Sequence, residues 1–140
     1  MKRMLLIIFV LFIVAQFITI KKVDENADKN LEIKADEQVM SIFKKACYDC
    51  HSNEVKYPWY SKIAPFSWVI SGHIEEGRKA LNFSIWENYN LEQKSEHIKD
   101  IYRTVYAAMP LQSYLWIHNE AELTKEERSL VRDWTKVRPK

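Results

Sequence analysis

Residues 47–51 read Cys47-Tyr48-Asp49-Cys50-His51, a CxxCH string that holds both cysteines of a 140-residue chain. Two thiols three positions apart stand about one helical turn apart. Each can add to a haem vinyl group, and the next residue is then brought under the porphyrin, where its Nε2 can bind iron. The spacing is therefore that of c-type haem attachment, with Cys47 and Cys50 as the tethers and His51 as the proximal ligand. Other readings of the same residues ask for more than the chain offers. A thioredoxin-like pair wants a βαβ context. A zinc site needs four ligands, at least one of which would have to come from His73, His97 or His118. A plain disulfide across Cys47 and Cys50 is the remaining structural alternative.

Upstream of the motif, Asp36 reads as the N-cap of a first helix. Val39, Ile42, Phe43, Ala46 and Cys50 recur on one face at three- and four-residue steps. Before it, residues 23–35 (VDENADKNLEIKA) are polar and charged and read as a tether. The chain starts with Lys2 and Arg3, runs through MLLIIFVLFIVAQFITI over residues 4–20, and closes with Lys21-Lys22. Cations before an apolar run mark a signal anchor or signal peptide over residues 1–22. Seventeen helical residues reach about 25 Å, near the lower limit for crossing the hydrocarbon core. Ala15 in Ile13-Val14-Ala15 offers a weak cleavage site, but Phe17, Ile18 and Ile20 continue the apolar run past it, which favours an uncleaved anchor.

The net charge of +2 equals the contribution of Lys2 and Arg3 at the head of this leader. Beyond Lys2 and Arg3 the chain holds 19 basic and 19 acidic residues. No Lys/Arg cluster interleaved with aromatics remains, so nucleic acid is not an expected partner.

Downstream of the motif, residues 52–65 form an aromatic loop punctuated by Pro58 and Pro65. A second helix starts near Pro65 and carries Trp68, Val69, His73 and Ile74 toward Leu81. Residues 82–90 read as a short turn segment. Asn90 with Gln93 is a capping box opening a helix striped by Leu91, Lys94, Ile98, Ile101, Tyr102 and Val105. His97 lies off that stripe and is expected in solvent. Thr124 with Glu127 is a second capping box, for a last helix with Leu130, Val131 and Trp134 facing inward. No alternating strand pattern occurs. Gly72 and Gly77 are the only glycines, which argues against many-stranded β folds, Rossmann loops and P-loops. Residues 36–140 are expected to form one small all-α domain around the cofactor.

An electron carrier needs a second axial ligand. Met109, in Ala-Ala-Met-Pro, is the candidate: Pro110 stops the helix, so the methionine lies in a constrained turn that can aim a thioether. His73 and His118 are the alternatives. Carbonyls near Pro58 or Pro65 are candidate acceptors for the other ring nitrogen of His51. Trp59, Tyr60 and Arg78 are candidate partners for the haem propionates.

CxxCH near the end of a first helix, a Met-Pro turn, and Leu-Thr-x-x-Glu opening a last helix resemble small monohaem cytochromes c. The strings KKACYDCHSNEVKYPWYSKIAPFSWVISGHIEEGRKALNFSIW and MPLQSYLWIHNEAELTKEERSLVRDW are similar to those of the small haem-binding domain family of exported bacterial proteins. The likeness covers about residues 38–137. It implies haem c held covalently by Cys47 and Cys50, with His51 as proximal ligand. Similarity to cytochromes c implies Met109 on the other side, although the Met-Pro turn carries fewer glycines than many of them do. Apolar leaders in the family agree with membrane tethering. The expected function is single-electron transfer with redox partner proteins, by an inner-membrane-anchored, cytochrome c-like domain facing the periplasm. No side chain acts as acid, base or nucleophile. A haem enzyme or small-ligand sensor with an open distal site is the alternative.

Overall fold

The structure is a computed structural model that describes residues 1–18 and 27–138. The expected leader end at Lys21-Lys22 and the first part of the expected tether lie outside those residues. Every regular element among the described residues is helical. Helix α1 (Lys2–Ala15) is apolar from Met4 onward and buries none of its side chains. Among the described residues, no helix is long and apolar enough to cross a membrane.

The domain is built on α2 (Glu37–Ala46), α4 (Phe66–Ala80), α5 (Leu91–Ala107) and α7 (Lys125–Thr135), with two one-turn helices, α3 (Tyr48–His51) and α6 (Gln112–Leu115). Local chemistry sets the ends. Asp36 accepts from the Val39 N–H at 2.9 Å. Asn90 and Gln93 close a reciprocal capping box, as do Thr124 and Glu127. Each pairing satisfies donors that a helix N-terminus leaves open.

Helix α7 packs on α2 and α5, while α3 packs on α4. The centre is aromatic. Phe43 stacks on Phe83 at 4.9 Å and meets Trp134 edge-on at 5.3 Å. Ile33, Val39, Ile101 and Val131 fill in around them.

Four expectations change. Leu31 and Ile33, assigned to the tether, lie on the domain: Ile33 is buried, its N–H donates to Phe83 O at 2.9 Å, and the Glu87 N–H donates to Leu31 O at 3.0 Å. Leu91 is 87% exposed, because the first turn of α5 overhangs the core, and Lys94 pairs with Glu87 at 2.6 Å instead of packing inward. Leu130 is exposed, since the inner line of α7 is centred on Val131 and Thr135. His97 is half-buried, with its ring 4.5 Å from Tyr89. The 82–90 segment winds into a 3-10 turn over Phe83–Asn88 that carries Trp86 and Tyr89 back beside α5. Burial there holds the His97 imidazole below its usual pKa, and nearby Asp100 opposes the shift.

Candidate haem site

The CxxCH string is one tight turn. Helix α2 stops at Ala46, Cys47 takes a non-helical conformation, and its carbonyl accepts from Cys50 N–H at 3.2 Å and His51 N–H at 2.9 Å. The two intervening residues hold the turn from behind. Tyr48 is buried against Phe83, and its hydroxyl donates to Glu32 at 2.8 Å. Asp49 accepts from the Tyr114 hydroxyl at 2.7 Å and from the Lys56 N–H at 3.1 Å. Burial first, then these carboxylate partners, raise both phenols above the usual tyrosine range.

The residues after the motif are clamped as well. Ser52 is fully buried; its hydroxyl donates to Tyr48 O at 2.8 Å and accepts from Glu54 N–H at 2.9 Å. Arg78 Nε donates to Ser52 O at 2.7 Å. Asn82 Nδ2 donates to Asn53 Oδ1 at 2.8 Å, and the Asn53 N–H donates to Ser84 Oγ at 2.9 Å. The strings HSN and LNFS, separate in the sequence, are thus two halves of one hydrogen-bonded clamp.

Helix α4 runs so close to the turn that a Cβ on Gly77 would lie 2.6 Å from Cys50 O. That approach carries the end of α4 past His51, whose Nδ1 donates to Leu81 O at 3.0 Å. The acceptor is therefore Leu81, not a carbonyl near Pro58 or Pro65. With Nδ1 carrying the proton, Nε2 keeps the lone pair that a metal takes. Burial lowers the His51 pKa, and the Leu81 and Gly77 carbonyls pull the other way.

Two adjoining clefts, of about 190 Å³ and about 220 Å³, share Ala46, Cys47, His51, Ala80, Met109 and Pro110 as walls. The first is floored by Phe43, Phe83 and Val131; the second adds Cys50 and His73. All four residues expected at the site, Cys47, Cys50, His51 and Met109, line the second cleft. The walls are mostly hydrocarbon, which suits a flat apolar macrocycle. Both thiols are free. Burial, with Cys50 nearby, pushes the Cys47 thiol up to about 12, and burial, with Asp49 nearby, pushes Cys50 up to about 11. A thiol-redox centre works the opposite way, through a lowered pKa. Among the described residues, no group of three or more His, Cys, Asp or Glu is arranged to hold a metal ion.

Met109 is held from an unexpected quarter. Its N–H donates to Thr104 O at 2.8 Å, and its carbonyl accepts from Arg128 Nη1 at 2.7 Å. The same guanidinium reaches Val105 O, and its Nε donates to Leu123 O at 3.3 Å. One side chain on α7 thus ties together the end of α5, the Met-Pro turn and the approach to α7. Arg128→Met keeps the alkyl packing and removes these donors. We expect a loss of about 2 kcal/mol in urea unfolding, and a site near Met109 that is looser by hydrogen exchange.

His118 lies outside both clefts. Its Nε2 bonds to the Tyr60 hydroxyl at 2.6 Å and its Nδ1 to Glu120 at 3.0 Å, with the ring stacked on Tyr114 at 4.3 Å. His73 is exposed at the rim of the second cleft. Trp59, Tyr60 and Arg78 line neither cleft. Sequence reading missed Gly77, Asn82, Ser84 and Arg128; the sequence holds two glycines, and only the approach to Cys50 sets Gly77 apart from Gly72.

Comparison with curated proteins and with solved structures yields no match. A family model described as a haem-binding domain matches residues 10–137, which takes in the whole CxxCH turn, both clefts and the last turns of α1. The chain belongs to this haem-binding domain family.

Proposed function

We propose that the chain is a membrane-tethered c-type cytochrome that passes single electrons. The supporting observation is that Cys47, Cys50, His51 and Met109 line one apolar cleft, with the His51 ring fixed by Leu81. In this reading Cys47 and Cys50 would hold haem through C–S bonds, each S–H adding across one vinyl group with its hydrogen going to the neighbouring vinyl carbon and no net oxidation. Haem, when bound, supplies one-electron exchange between Fe(III) and Fe(II). His51 would hold the iron through Nε2, and Met109 would offer its thioether from the turn that Arg128 holds. A soft, neutral sulfur ligand favours Fe(II) and raises the potential relative to two imidazoles. The hydrocarbon walls of the clefts would limit water at a bound iron and keep reorganisation small. The apolar N-terminal segment tethers the domain to the inner membrane, on its periplasmic side, beside redox partner proteins.

The test is a visible spectrum of the haem-loaded protein in both redox states. The oxidised form is expected to be low-spin with the weak far-red band of methionine ligation. Met109→Ala is expected to abolish that band and to open the iron to rapid carbon monoxide binding when reduced. A band unchanged in Met109→Ala contradicts the assignment.

A further inference from the structure

The aromatic loop after the CxxCH turn is not absorbed by the haem site. Trp59 is 75% exposed, and Phe66 and Val69 are each 55% exposed. They form one neighbourhood: Tyr60 meets Trp59 edge-on at 5.7 Å and Phe66 at 6.4 Å. Side chains of this size on a water-facing surface are costly unless something covers them.

Helix α1 ends at this same place. The Gln16 side chain pairs with the Ala64 backbone in both directions: Ala64 N–H donates to Oε1 at 3.0 Å, and Nε2 donates to Ala64 O at 3.3 Å. The apolar helix is thus fixed to the residue two before α4. The outward side of α4 also changes along its length. Phe66, Trp68 and Val69 are exposed in its first turns, and Glu75, Glu76 and Lys79 in its last. Between Glu54 and Glu75 the chain has no acidic residue, while Lys56 and Lys62 are exposed.

We propose that the face formed by Trp59, Phe66 and Val69 seats in the headgroup layer of a bilayer containing anionic lipid. The inference rests on the tethering reading above. Length supports it: α1 reaches about 21 Å, short of a core of about 30 Å. A short apolar helix draws its flanking residues into the membrane interface, and here the flanking body is this face. Tryptophan and phenylalanine suit that layer, and lysines meet its phosphates. The charged end of α4 then points to water.

The experiment uses the full haem-loaded chain in vesicles of phosphatidylcholine and phosphatidylglycerol. A photoreactive p-benzoylphenylalanine replaces Leu6, Val69 or Glu75 in turn, and adducts are identified by mass. Lipid adducts are expected at Leu6 and Val69, with the yield at Val69 several-fold above that at Glu75. Lipid at Leu6, with none at Val69 or with adducts there to a second copy of the chain, overturns the proposed face and leaves the tether standing. Absence of lipid adducts at Leu6 as well overturns both.

Discussion

Replacing Gly77 by valine is expected to abolish stable haem loading, whereas Gly72→Ala is expected to be neutral or mildly stabilising. The two glycines lie on the same helix and differ only in what they face. A Cβ at Gly77 would lie 2.6 Å from Cys50 O and 3.2 Å from Cys50 C and Cβ. Those are mostly backbone atoms of a hydrogen-bonded turn, so no rotamer change relieves the overlap. Helix α4 must back away, and Leu81, the residue that fixes His51, moves with it. Overpacking of this kind costs about 3 kcal/mol. At Gly72 an added Cβ meets nothing within 4 Å, and alanine gains up to about 1 kcal/mol of helix propensity. Haem absorbance per polypeptide and urea midpoints for the two variants, made in a haem-loading host, check the contrast. Equal loading in Gly77→Val and the parent would mean that α4 does not position the turn.

His51→Ala is expected to have the second large effect. In the proposed function it removes the Nε2 that would bind iron, and it leaves Leu81 O without its 3.0 Å partner. In the proposed function the covalent tethers remain, so colour is retained while the low-spin spectrum is lost. Unfolding stability should fall by about 1–3 kcal/mol from the orphaned carbonyl. Added imidazole can fill the vacated space, and partial recovery of the low-spin spectrum is expected. A spectrum identical to the parent's would show that another residue ligates from this side.

Local features of this arrangement are legible in the sequence. The helices announce themselves through caps: Asp36, Asn90 with Gln93, and Thr124 with Glu127 occupy the expected ends. Short-range spacing also places Cys47, Cys50 and His51 on one turn, since i to i+4 geometry is set within the segment itself. What escapes is long-range. The partner of His51 comes from Leu81, thirty residues on. Arg128 braces Met109 across nineteen residues. Ile33 reads as tether because its neighbours are polar, yet its N–H pairs with Phe83. Backbone carbonyls carry no sequence signature, so the groups that orient His51 and Met109 emerge only with α4, α5 and α7 in place.

Haem joined to Cys47 and Cys50 stays on the polypeptide under denaturing conditions, so the mass of the intact chain there is the decisive measurement. For protein produced with a cytochrome c maturation system, a polypeptide heavier by one haem is expected. Peptide mapping should place that addition on the fragment holding both cysteines, and Cys47→Ser with Cys50→Ser should remove it. An unmodified polypeptide mass, with haem released free by the denaturant, would mean that neither cysteine carries the cofactor.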